Sequence, residues 1–342
     1  MQASRRRFVL GSVASLSALA LARSSVVAAQ TTALKISHQF PGGNETEGDF
    51  RDRLCRKFAA AVTAKTNGAL KFEVYPGSSL MKVNTQFASL RRGALDMSLV
   101  PLSYAGGEVA ETNIGLMPGL VTSYEQAYGW KNAEVGRLLT QVMADKGIVI
   151  VSWIWQAGGV ASRAKPLVAP EDARGMKVRG GSREMDMILK EAGASVLTLP
   201  SNEIYAAMQT GAMDAGMTSS TSLISFRLEE VSKSLTSGRR YAYWFMFEPL
   251  LMSKQVFDKL PKEQQAAIMA VGADMEKFAL DGAKADDIAV ASIYAKAGAK
   301  VVELDEPTVK KWQAIARETA WKDYAAKSET CARLLAAAVK TL

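Results

Sequence analysis

Two α/β lobes joined by several chain crossings are what this sequence predicts, and three observations carry the prediction. Strand and helix patterns alternate in two successive sets. Between the sets, an apolar run over 148–155 leads into Gly158-Gly159 and reads as a crossover. Late in the chain, 262–296 keeps helical spacing long enough to lie along both lobes, with Ile268, Val271, Met275 and Phe278 on one face. A chain of 342 residues has also outgrown a single core.

The first set opens with the strand Leu34-Lys35-Ile36-Ser37 and a Gly/Asn loop. Phe50, Leu54, Phe58 and Val62 recur every four residues as the apolar stripe of a helix, which Asn67-Gly68 stops. Leu70, Phe72 and Val74 alternate in a strand that ends at Pro76. A helix over 83–92, ended by Gly93, and a strand over 95–100 complete a β-α-β-α-β order, which argues a mainly parallel sheet. One helix is expected over 124–146. The second set runs strand 176–179, helix 183–192, strand 195–199, helix 203–210 and strand 212–217, without a residue-level repeat of the first. A strand over 250–253 is expected to return the chain to the first lobe. Gly272 and Gly282 are the points where the long helix could break. A strand over 300–304 and two helices finish the chain. The predicted division is lobe I from 30–156 plus about 245–284, and lobe II from 157–244 plus about 285–342.

The N-terminus reads as an export signal. Ser4-Arg5-Arg6-Arg7-Phe8-Val9 is a twin-arginine pattern, an apolar stretch follows, and Val27-Ala28-Ala29 offers small residues for cleavage before Gln30. The stretch is too short and too rich in Ser, Ala and Gly to span a bilayer, so stable membrane insertion is not expected. The expected location is the periplasm. Loss of 1–29 removes four arginines and no acid. Lys plus Arg falls from 42 to 38 against 34 acidic residues, which halves the net charge from +8 to +4. The remaining charges are interspersed, and no basic stripe with interleaved aromatics points to nucleic acid.

Cys55, Cys331 and His38 are the whole complement of cysteine and histidine. That census is too small for zinc, haem or iron–sulfur ligation, so no cofactor or metal is expected. An exported protein could join the two cysteines, but the sequence does not show whether they come within reach; the alternative is two buried thiols. His38 lies on an early strand and reads as structural. No Ser-His-Asp or Cys-His pair suggests catalysis, and Gly180-Gly181 lacks the rest of a phosphate loop. A binding protein is therefore expected rather than an enzyme, and turnover of a bound acid is the observation that would favour the latter.

Arg179 closes the run Gly175-Met176-Lys177-Val178-Arg179 at a strand end, where open α/β sheets bind ligands. Its planar fork of donors matches both oxygens of a carboxylate. The plain alternative is a solvated arginine.

Downstream lies Glu203-Ile204-Tyr205-Ala206-Ala207-Met208-Gln209-Thr210-Gly211, ending in Asp214. Together with Pro170-Glu171-Asp172 and the Arg179 run, it makes the mature chain resemble the DctP-like solute-binding proteins of TRAP transporters. Tyr75-Pro76-Gly77, Arg92-Gly93-Ala94-Leu95-Asp96-Met97 and Leu260-Pro261 also fall where that family has similar residues. The resemblance implies a type II-like periplasmic binding fold with hinge crossings. It further implies that an arginine matching Arg179 clamps a substrate carboxylate between the lobes, and that a membrane permease driven by an ion gradient receives the ligand. Service to a sensor or another transport system is the alternative.

Glu203, Tyr205, Gln209 and Asp214 are expected to support the arginine rather than touch ligand. The chain also departs from the family pattern. Thr218 stands where the family usually has an Asn that helps to hold the carboxylate, and a hydroxyl can still donate there. Gly159 occupies the place of a second arginine found in some sugar-acid binders. Trp155 and Trp244 are candidates for the ligand's body, with core packing as the alternative for each, and Gln156 and Gln39 could add polar contacts. The pattern suggests a carboxylate with a fair-sized, aromatic or branched body.

Overall fold

The structure is a computed structural model that describes residues 31–342. The predicted signal segment, 1–29, lies outside the described residues. Along the chain run β1 (Thr32–His38), α1 (Phe50–Lys65), β2 (Leu70–Tyr75), α2 (Val83–Arg91) and β3 (Met97–Leu99). Then come α3 (Tyr124–Gly129), α4 (Glu134–Asp145), β4 (Ile148–Ser152), β5 (Trp155–Gln156), β6 (Gly158–Ser162), β7 (Lys177–Arg179), α5 (Arg183–Glu191) and β8 (Ser195–Val196). The next are α6 (Ile204–Gln209), β9 (Ala215–Ser219), α7 (Ser220–Ser225), β10 (Ser234–Ser237), β11 (Met246–Phe247), β12 (Leu250–Ser253), α8 (Lys254–Phe257) and α9 (Lys262–Lys296). The last are β13 (Lys300–Glu303), α10 (Glu306–Ala316), α11 (Lys322–Lys327) and α12 (Glu329–Val339).

Two sheets organise these elements. The first has the order β2-β1-β3-β12-β4 and the second β13-β10-β6-β9-β7-β8, while β5 and β11 pair as a short ribbon. The chain leaves the first sheet through β4 and β5, and β12 brings it back between β3 and β4. Neither sheet is as parallel as the alternating pattern suggested. β1 pairs in parallel with β2 and β3, but β12 is antiparallel to both of its neighbours. In the second sheet β6 is antiparallel to β9 and β10. Strands that enter by a crossing rather than after a covering helix are free to run the other way.

Helix α9 is unbroken from Lys262 to Lys296, as its spacing predicted. It packs on α1 and β4 of the first half and on α7, β10 and β13 of the second. Other expectations shift. The single helix over 124–146 is two, because the chain turns at Trp130, which is fully buried and packs edge-on against Trp155 with ring centroids 5.2 Å apart. The strand expected at 212–217 begins at Ala215, since Gly211 takes a positive φ of 78° and Asp214 closes the turn. The short strands β6, β10 and β11 carry too little apolar alternation to announce themselves. Cys55 and Cys331 are both free, buried in different core clusters.

Candidate functional site

β1 and β3 end beside each other, with His38 opposite Leu99, so the segments that leave them share one edge of the first sheet. Gln39 follows β1, and Tyr104 lies in the helical turn after β3. In the second sheet Arg179 ends β7 opposite Gly216 of β9, and Thr218 lies two residues further along β9. Carboxyl ends of strands from both halves thus supply the site, which is where open α/β sheets place ligands.

Arg179 is only 3 % exposed. Its Nε donates to the Leu199 carbonyl at 3.0 Å, one terminal nitrogen to the Met217 carbonyl at 2.6 Å and the other to the Tyr104 hydroxyl at 2.8 Å. A guanidinium carries five N–H donors, so one on each terminal nitrogen has no protein acceptor. No carboxylate of the protein forms an ion pair with it among the described residues. Asp186 lies near enough to act on its charge without bonding to it, so a buried guanidinium with two adjacent donors to spare can receive an anion.

Two further polar groups point the same way. Both the amide nitrogen and oxygen of Gln39, 1 % exposed, lack a protein partner, and so does the hydroxyl of Thr218, 2 % exposed. Buried polar atoms are nearly always hydrogen-bonded, so these are groups that a ligand or a water could still partner. Gln156 is divided: its Nε2 donates to Glu248, while its Oε1 has no partner.

The aromatic candidates belong more to packing. Trp155 is fully buried between Trp130 and Phe247, with its indole N–H unpartnered. Trp244 presses on the backbone of Gly158, where an added Cβ would lie 2.3 Å from its ring. Gly159 has a similar reason to be glycine, since a Cβ there would meet the Thr236 carbonyl at 2.4 Å. A second arginine has no room at that position.

Residues expected to support Arg179 do so less directly than the sequence suggested. Glu203 and Gln209 are exposed, and Tyr205 donates to Glu230 at 3.0 Å. Ile204, on the buried face of α6, is the residue that reaches β9, 3.0 Å from where a Cβ on Gly216 would stand. Asp214 accepts from the Lys177 N–H at 2.8 Å, at the opposite end of β7 from Arg179, and so anchors the strand's start. Asp172 accepts from the N–H groups of Val168 and Ala169, which explains the Pro-Glu-Asp turn.

Sequence reasoning missed Tyr104 and a second arginine. Arg51, fully buried, makes a two-pronged pair with Asp49 at 2.9 and 2.7 Å and reaches Glu248 at 3.1 Å. It also donates to Ser222 at 3.1 Å and stacks on Phe40 at 3.5 Å. Two carboxylates already satisfy this cation, so it ties α1 to the β9–α7 junction rather than offering itself to a ligand. Only the run Asp49-Phe50-Arg51-Asp52 hinted at a charged helix start, and no local pattern distinguished Arg51 from Arg53. His38, bonded to Asp52 at 3.1 Å and stacked on Phe40, is structural. No His/Cys/Asp/Glu cluster of metal-binding size occurs among the described residues.

Two α/β halves whose strand ends converge on a buried arginine with donors to spare define a two-lobe solute-binding protein. The chain belongs to the bacterial extracellular solute-binding proteins of family 7, the DctP family, whose model matches residues 44–328. A solute-binding protein of Albidiferax ferrireducens is 70% identical over 338 residues, covering 99% of this chain and all of the relative. The C4-dicarboxylate-binding periplasmic protein DctP of Rhodobacter capsulatus is 27% identical over 285 residues, 82% of this chain and 83% of its own. Among solved structures, a TRAP periplasmic solute-binding protein from Rhodoferax ferrireducens with bound malonate superposes with a TM-score of 0.89 at 73% identity, over 90% of this chain and 98% of that one. No helix among the described residues is long and apolar enough to cross a membrane.

Proposed function

We propose that this chain captures a small dicarboxylate of the malonate class in the periplasm and hands it to the membrane permease of a TRAP transporter. Arg179 clamps one carboxylate with its two uncommitted N–H groups, and Gln39 and Thr218 supply further hydrogen bonds. We take lobe I as 30–156 plus about 245–284 and lobe II as 157–244 plus about 285–342, with 1–29 as a twin-arginine signal; the membership of the two sheets supports this division as far as β13, while the helices after it pack back on the first half. Closing the lobes on the ligand removes water from the ion pair and so strengthens it.

The observation that carries this reading is the buried fork of Arg179 with no carboxylate of its own. The malonate in the 73%-identical relative supports a small acid. A larger aromatic or branched body would draw on Trp155 and Trp244, and Trp155 is occupied in the core.

A thermal-shift screen over organic acids tests the proposal, because a ligand that binds only the folded state raises its melting temperature, by about 2.7 kcal/mol of stability at a hundredfold excess over Kd. Malonate is expected to give a clear shift. Arg179→Lys keeps the charge but cannot hold two oxygens in one plane, and is expected to weaken binding about 100-fold. Arg179→Ala also frees the carbonyls of Leu199 and Met217, so it should lower the unliganded stability by about 1–3 kcal/mol as well. The reading fails if no acid shifts the melt, or if the shift survives Arg179→Lys.

A further inference from the structure

Tyr104 stands where the first half of the molecule meets the arginine of the second. Its hydroxyl oxygen accepts from Arg179 at 2.8 Å and from the Ser201 N–H at 2.9 Å. With both of these bonds accepted, the phenol still holds its own proton, for which no acceptor occurs among the described residues. The ring centroid lies 6.0 Å from the guanidinium carbon.

Tyr104 also lines a pocket of about 510 Å³, a volume typical of small-molecule sites. Arg179 does not line it. Tyr104, Gly181 and Leu199 line the pocket and also contact the arginine. Leu199 meets Arg179 through its carbonyl, and Gly181 has no side chain, its would-be Cβ position lying 2.7 Å from the guanidinium. The Tyr104 ring is therefore the part of this partition that a substitution can remove. Beyond it the pocket is polar, with Asn84, Thr198 and the carboxylate of Asp186 in its wall; of its two cations, Arg183 is paired with Asp323 and Lys190 has no carboxylate within ion-pair distance among the described residues.

We infer that Tyr104 sets the length of acid the cleft accepts. The phenol donates its free proton to the carboxylate held by Arg179, and its ring keeps the far end of a longer dicarboxylate out of the pocket behind. This rests on the reading of Arg179 as a carboxylate clamp. With the ring gone, a longer chain can run from the Arg179 fork into the pocket and bring its second carboxylate toward Lys190.

The test is calorimetric titration of the mature chain with malonate, succinate, glutarate and adipate. Wild type is expected to bind malonate and to lose at least about tenfold in affinity by glutarate, the order of effect of one hydrogen bond to a charged group. Tyr104→Phe should keep that cutoff while binding malonate about tenfold more weakly, because only the hydroxyl is lost. Tyr104→Ala should bind glutarate or adipate at least as tightly as malonate. A cutoff unchanged in Tyr104→Ala, or abolished in Tyr104→Phe, overturns the inference. Should the unliganded melt show that Tyr104→Ala does not fold, Tyr104→Val opens the same wall and is held to the same outcomes. Failure of wild type to bind any of the acids, or full binding by Arg179→Lys, instead sinks the carboxylate reading on which the inference rests.

Discussion

Glu248 shares one cation with another carboxylate. Arg51 lies between it and Asp49, and all three are buried, so the group of charges is one negative in excess. Burial raises the pKa of Glu248 to about 7 against an ordinary 4.5, with Arg51 opposing the rise. Burial pushes Glu184 to about 7 and Asp186 to about 6 in the same way. For each, the folded state holds a proton that the unfolded chain has already released between the two pKa values. Their contribution to stability is therefore present below about pH 4.5 and is lost as pH rises toward 7. The melting temperature of the unliganded protein should accordingly be higher at pH 5.5 than at pH 7.5. Glu248→Gln should flatten that slope by roughly 1 kcal/mol per pH unit within the window. An unchanged slope in the variant would show that Glu248 stays ionised throughout.

The long helix turns on two glycines that its sequence marked as weak points. A Cβ on Gly272 would stand 2.2 Å from the Val151 carbonyl oxygen, while one on Gly282 would stand 2.9 Å from the ring of Phe50. These glycines let α9 approach β4 and the start of α1, and neither breaks the helix, because packing on both sides outweighs a propensity penalty of about 1 kcal/mol each. Gly272→Ala meets backbone that cannot swing aside and should cost about 1–3 kcal/mol despite the gain in helix propensity. Gly282→Ala meets a side chain and should cost less. Urea denaturation of the two variants checks the ranking, and equal stability in both would remove the close-approach argument.

The two halves are held by more than the chain crossings. Residues after β13, which belongs to the second sheet, return to the first half: Trp321 donates to the Pro118 carbonyl at 2.8 Å, Tyr324 to the Glu111 carbonyl at 3.0 Å and Trp130 to Thr341 at 3.1 Å. On the site side the halves meet where Tyr104 and Ser103 bond to Arg179, Ser201 and Gly181. Hydrogen exchange with saturating malonate should show new protection in both 99–105 and 179–201, with little change in 262–296. Protection on one sheet only would mean that the acid binds without bringing the halves together.

Periodicity made α1, α2, α5 and α9 legible within a residue or two, because each presents one apolar face to a core and ends at a glycine or a polar cap. The strand that ends at Arg179 was legible too, as were the motifs around it. Tyr104 was not, because nothing in Leu102-Ser103-Tyr104-Ala105 distinguishes a tyrosine aimed at an arginine 75 residues away from one on a surface turn. Gln39 was visible only as a weak candidate until burial left its amide without partners. The sequence alone thus determined the α/β halves, the family and an arginine suited to an acid, since these depend on local period and residue chemistry. Only the tertiary structure decided which buried polar groups remain unpaired and which residues meet that arginine, because pairing and contact are set by residues that the chain keeps far apart.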